Sequence, residues 1–288
     1  MRYWSSTIFL LVLLVIANGC YEDSALDVPE KTTTPSDDEI DQYIQKNFLD
    51  TYGVAIRYKF VDRYVDQTKR VTPPSRDVVI PMLDFLTEFW ADPFVAVPNG
   101  SEFFRTHVPA EMVMIGSPIF NEDGTVTLGT ADAGARITLT EVNALDLTSR
   151  EWVYGQLHVI YHEFAHILHQ RHNLPSNWKQ ISPEGYTSAG SWYNLTENEA
   201  LERGFVSPYA TLSFDEDFAE TTSFILYNPD FYTKYMTDEA NCTDAACEAR
   251  NAGRQKLRVK YNSVVNHYQA TVGVDLLSVR AVIQAKLP

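Results

Sequence analysis

The densest chemistry in the 288-residue chain lies between Val159 and Leu168, where His162, Glu163 and His166 are set among apolar residues. On a helix, at about 100° per residue, His162 and His166 stand about 40° apart on one face and one turn from each other, so the two imidazoles can share one zinc ion. Glu163 falls further round the helix. There a carboxylate reaches a water at the metal without being a ligand, takes its proton and passes it to a leaving group. Ile160, Tyr161, Phe164, Ala165, Ile167 and Leu168 should bury this helix, and polar side chains carried into a core need partners.

A zinc site needs a third protein ligand, and the sequence offers two. His172 follows His166 at the metzincin spacing. The metzincin pattern, however, has a turn glycine where this chain has His169, and a histidine adopts positive φ only with difficulty. The only methionine downstream for a Met-turn is Met236. The other candidate is Glu216. On a helix Glu216 and Glu220 share a face, so one can ligate metal while the other hydrogen-bonds a ligand histidine from behind. Tyr209, seven residues before Glu216 in the loop entering that helix, is a phenol that can donate to the oxyanion of a tetrahedral intermediate. The missing turn glycine favours Glu216. His158 and His169 extend the histidine stripe, with His158 better suited to the core or to a place behind the ligands than to ligation. His107 and His267 have no partner in sequence and read as structural.

These side chains need elements to carry them. Ser36 is placed to cap a helix with Ile40, Tyr43, Ile44 and Phe48 on one stripe. Residues 54–60 alternate as a strand, and 78–90 read as a helix with Pro81 in its first turn. Strands follow at 111–115, 125–128 and 135–142, separated by turns at Asn121–Gly124 and Ala131–Gly134. The zinc helix spans about 149–170, a second helix spans 215–227, and residues from Ala245 on are helical with a break near Gly273. A strand-rich first half and a helix-rich second half argue an α+β fold with a cleft between lobes of about 36–172 and 173–288. An edge strand at 135–142 beside the zinc helix would suit an extended substrate.

The N-terminus reads as an address. Arg2, an apolar run from Ile8 to Ile16 and small residues before Cys20 describe an export signal over residues 1–19. Cys20 matches a lipobox cysteine, lipidated at the mature N-terminus; a plain signal peptide is the alternative. Residues 20–35 read as a solvated tether between that anchor and a domain over 36–288. In an exported chain Cys242 and Cys247 are left as a pair, suited to a local disulfide, with metal binding the weaker option. The formal charge of −15 disfavours nucleic acid as a partner, and neither a Gly-rich phosphate loop nor a serine nucleophile elbow is present.

His162–His166, followed by Tyr209 and by Glu216-Asp217-Phe218-Ala219-Glu220, resembles the gluzincin arrangement of lethal-factor-type toxin proteases and some bacterial regulatory peptidases. With the lipobox and tether, the chain is similar to zinc-binding metallopeptidase lipoproteins associated with TonB-dependent nutrient importers. The resemblance implies a zincin-like α+β fold, with a mixed or antiparallel sheet packed on the active-site helix and a mostly helical C-terminal lobe. It implies one zinc ion per chain held by His162, His166 and Glu216, with Glu163 as base, Tyr209 as oxyanion donor and Glu220 behind the ligands. A peptide or protein substrate, importer components as partners and an outer-membrane location, periplasmic or surface-exposed, go with it. Three alternatives stay open: a metzincin-like protease using His172, a non-catalytic binding lipoprotein of an importer, and a zinc hydrolase acting on a non-peptide amide.

Overall fold

In the computed structural model, which describes residues 36–288 apart from 62–64, 66–67, 122–125, 128, 133–134 and 189, the first helix starts from Asp38 and not from Ser36. The Asp38 carboxylate accepts the Ile40 N–H at 3.0 Å and caps α1 (Glu39–Ile44), an acceptor at the N-cap being what the free N–H groups of a first turn require. The signal segment, the tether and Cys20 lie outside the described residues. A π turn at Gln45–Leu49 continues α1, and Ile40, Ile44 and Phe48 are buried as the stripe requires, with Tyr43 packed at its margin.

Strand β1 (Ala55–Arg57) is shorter than the alternation suggested. Helix α2 (Arg76–Leu86) starts two residues before Val78, which moves Pro81 out of the first turn and into the helix interior. Helix α3 (Gly100–His107) then leads to β2 (Glu111–Met114). The pair β3 (Ile119–Phe120) and β4 (Val126–Thr127) is antiparallel, and a hairpin follows, formed by β5 (Gly129–Asp132) and β6 (Arg136–Leu139). The main sheet has the order β1-β2-β6-β5, parallel across its first three strands and antiparallel at β5. Two expectations change here. Ala131 and Asp132, read as turn residues, belong to a strand, and β6 is an inner strand, so the edge is β5. The burial of Ile137 and Leu139 explains the inner position.

Ser149 Oγ accepts from Trp152 N–H at 3.2 Å and starts α4 (Arg150–His172), whose middle carries the histidines. Beta carbons are excluded where the sheet meets this helix: one added at Gly129, at the start of β5, would lie 2.2 Å from Val159. Helix α5 (Glu197–Arg203) is held by a Thr196/Glu199 capping box, and α6 (Phe214–Tyr227) by the Ser213 hydroxyl. Helix α7 (Ala245–Val272) ends at Gly273 with φ +69°, and α8 (Leu276–Gln284) completes the helical half. Trp90, Phe94, Phe103 and Phe104 pack their rings against Phe164 and bury the far side of α4. Residues 38–288 form one compact unit.

Candidate metal centre

Helices α4 and α6 pack against each other and bring three donor atoms together. His162 Nε2 lies 3.0 Å from Glu216 Oε2 and 3.0 Å from His166 Nε2, and His166 Nε2 lies 3.3 Å from the same oxygen. Zinc–ligand bonds of about 2.0–2.1 Å in tetrahedral geometry separate ligand atoms by roughly 3.3 Å, so this triangle of lone pairs fits that ion. Such a site is legible only across elements: the two histidines share a ridge of α4, and Glu216 arrives from the first turn of α6.

The outward ring nitrogens are also held. Glu220, 1% exposed, accepts from His162 Nδ1–H at 2.9 Å and from His158 at 2.5 Å through one oxygen, and from Ser207 Oγ at 2.5 Å through the other. Donating from Nδ1 leaves the Nε2 lone pair of His162 free for a cation. His166 Nδ1 lies 2.8 Å from His169 Nε2, and His169 Nδ1 stands 4.0 Å from Asp215. Burial by itself raises the Glu216 pKa, but hydrogen bonds from His162 and His166 bring it down to about 2. For His162 burial acts downward, and Glu216 and Glu220 override it to about 10. An imidazole between two carboxylates holds its proton tightly, and a cation taking that place displaces it.

Glu163 is buried and lines a cavity of about 350 Å³ with His162, Tyr209 and Trp192. Burial pushes its carboxyl above the usual range, the direction that suits a base working near neutrality. Val126, Thr127 and Gly129 form the sheet side of the same cavity. Tyr209 sits in a single 3₁₀ turn, Tyr209–Thr211, with its ring 5.9 Å from His162 and 4.9 Å from Trp192. Burial, then the negative charge of Glu216, raises the pKa of its hydroxyl, which therefore remains a donor.

His172 is elsewhere. The helix runs straight through His169, where a metzincin would turn, and His172 Nε2 meets His107 Nε2 at 2.7 Å. His267 contacts Thr271 at 3.3 Å. Cys242 and Cys247 are joined by a disulfide. Two contributors had no role in the sequence reading. Ser207 gave no signal, since only the fold turns it toward Glu220, and Trp192 lies in a stretch without periodicity. His158, four residues before His162 on the same ridge, was legible by spacing.

A family model described as "Putative zinc-binding metallo-peptidase" matches residues 33–277 of the chain. Among solved structures, the chain is similar to the crystal structure of "a putative zinc-binding metallo-peptidase from Bacteroides caccae ATCC 43185", with a TM-score of 0.70 and 28% sequence identity, over 86% of this chain and 91% of that one. No curated protein matches.

Proposed function

The chain belongs to this family of zinc-binding metallopeptidases, and from that premise we propose that His162, His166 and Glu216 hold the zinc ion and that Glu163 is the base in peptide-bond hydrolysis. Zinc supplies Lewis acidity, bringing the pKa of a water toward ~7. Glu163, in its buried position beside His162, takes the proton of the attacking water and returns it to the leaving amine. The Tyr209 hydroxyl donates to the oxygen that becomes negative as the tetrahedral intermediate forms. Glu220 keeps His162 in the tautomer that ligates. The edge strand β5, whose first residue lines the cavity, offers free backbone groups to an extended peptide.

The carrying observation is that Glu163 and Tyr209 line one cavity with His162, an arrangement that a purely structural zinc site does not need. Metal analysis combined with cleavage of a mixed peptide library tests it. Wild type should bind one zinc and cut peptides, and Glu163→Gln should keep the metal and lose cleavage, because an amide cannot accept the water's proton. Equal cleavage by both proteins would refute the role of Glu163. We also propose that the chain is exported and anchored to the outer membrane through lipid on Cys20, near importer components. No described helix is long and apolar enough to cross a membrane. Mass spectrometry of the mature N-terminus should find an acylated Cys20, and a mature chain beginning elsewhere would refute the anchor.

A further inference from the structure

A second cavity, of about 370 Å³, adjoins His158, which also lines the cavity that holds Glu163. Arg150, Tyr154, Gly155, Tyr227 and Asp230 line it with that histidine. The two spaces follow α4. Tyr154, His158 and His162 form one ridge at four-residue steps. Gly155 and Glu163, eight residues apart, are separated by about 12 Å along the axis, the span of three to four residues of extended chain.

Three features of this cavity point to a ligand. Gly155 stands inside a 23-residue helix, where glycine is less favourable than alanine by about 0.5–1 kcal/mol. A beta carbon there would meet nothing within 4 Å, so no close packing calls for glycine, and its effect is to keep the cavity open. Arg150 makes no ion pair or hydrogen bond through its side chain among the described residues, in a chain of formal charge −15. Its guanidinium lies 4.9 Å from the centre of the Tyr154 ring, a contact that positions the charge without neutralising it. Aromatic surfaces complete the walls: Tyr154 meets Tyr227 edge-on at 6.1 Å, and His158 stacks on Tyr227 at 5.6 Å. Asp230 also lines the cavity and forms no ion pair with Arg150, so the guanidinium remains available to a ligand.

We propose that this cavity is a substrate subsite that takes a carboxylate-bearing residue, held by Arg150, three to four residues from the bond whose hydrolysis Glu163 serves as base. The proposal rests on the peptidase reading. The carboxylate belongs either to the C-terminus of the peptide or to an Asp or Glu side chain, both of which present the same bidentate acceptor to a guanidinium.

The test uses the zinc-loaded full chain and matched peptides: free acid against C-terminal amide, and Glu against Gln at each position on both sides of the cut. Wild type should prefer the carboxylate peptide in kcat/KM by roughly 10–100-fold, the worth of a charged hydrogen bond. The arm that carries the preference identifies its source. Arg150→Gln should abolish the preference, Gly155→Leu should weaken it by filling the cavity, and Arg105→Gln, an exposed arginine on α3, should keep it. A preference unchanged in Arg150→Gln, or no preference in wild type, overturns the subsite. Binding of the same peptides to Glu163→Gln separates the two readings. A carboxylate preference in binding with no cleavage by wild type would sink the peptidase reading and leave the pocket standing, whereas cleavage without any preference would do the reverse.

Discussion

Replacing Glu220 by glutamine isolates the charge behind His162. Glutamine preserves the shape of the side chain, and its carbonyl can accept from His158 and from His162 Nδ1 as the carboxylate oxygen does at 2.5 and 2.9 Å. Its amide would face Ser207 Oγ, which already accepts from Ala210 N–H at 3.1 Å and has a second lone pair to offer. The hydrogen bonds therefore survive and the negative charge does not. Carboxylates behind a metal-bound histidine are worth about 10–100-fold in metal affinity, or about 1.4–2.7 kcal/mol. Glu220→Gln should weaken zinc by that factor in competition with a fluorescent chelator near neutral pH. Glu220→Ala should lose more, and should also destabilise the metal-free protein by about 3 kcal/mol or more in urea, because three donors in a buried place lose their acceptor. Zinc binding within twofold of wild type in Glu220→Gln would refute the assignment of Glu220 as the group that tunes His162.

Glu216→Ala should lose most bound zinc, since three protein ligands fall to two, while His172→Ala should keep it; the reverse pattern by metal analysis would return the site to the metzincin arrangement. Tyr209→Phe should lower kcat by about 10²–10³ with a smaller change in KM, because the oxyanion exists only after attack; an effect confined to KM would count against the oxyanion role. Lys260→Met should cost about 3–5 kcal/mol in urea denaturation, as it strands the fully buried Asp217, and adding Asp217→Leu should restore much of that; a loss under 1 kcal/mol in the single variant would show that the pair is not the anchor of α6.

The zinc helix was the easiest part to read, because its apolar flanks and its paired histidines point to the same element. The sheet was harder. Its strands are three or four residues long, too short for alternation to mark their ends, and β5 was hidden because Ala131 and Asp132 also suit a turn. The start of α2 was misplaced by holding Pro81 to the first turn; the helix begins at Arg76 and carries Pro81 in its interior, without the backbone hydrogen bond that a proline cannot donate. The far supports of the site were out of reach for a different reason. Ser207 meets Glu220 only because the segment before the 3₁₀ turn folds back over α6, and nothing local to residue 207 records that.

The acidic run on α6 shows how much the helix itself decides. Asp215, Glu216 and Asp217 are similar side chains at successive 100° steps, and each meets a different medium. Asp215 is 60% exposed and lies 4.0 Å from His169. Glu216 points at the two histidines. Asp217, fully buried, accepts from Lys260 Nζ at 2.8 Å and from Tyr186 OH at 2.7 Å, while Lys260 also donates to Gly204 O at 2.7 Å. The ion pair therefore ties α6 to α7 at a position 100° round the helix from Glu216 and fixes the rotation of α6 about its axis. That rotation sets where Glu216 and Glu220, 40° apart, face α4. A buried ion pair is a poor source of stability, but it penalises every other register of the helix. Glycine, proline and hydrophobic period alone would allow α6 to turn by one residue, bringing Asp215 or Asp217, each one methylene shorter than glutamate, to the histidines. The ion pair and the glutamate side-chain length together select Glu216.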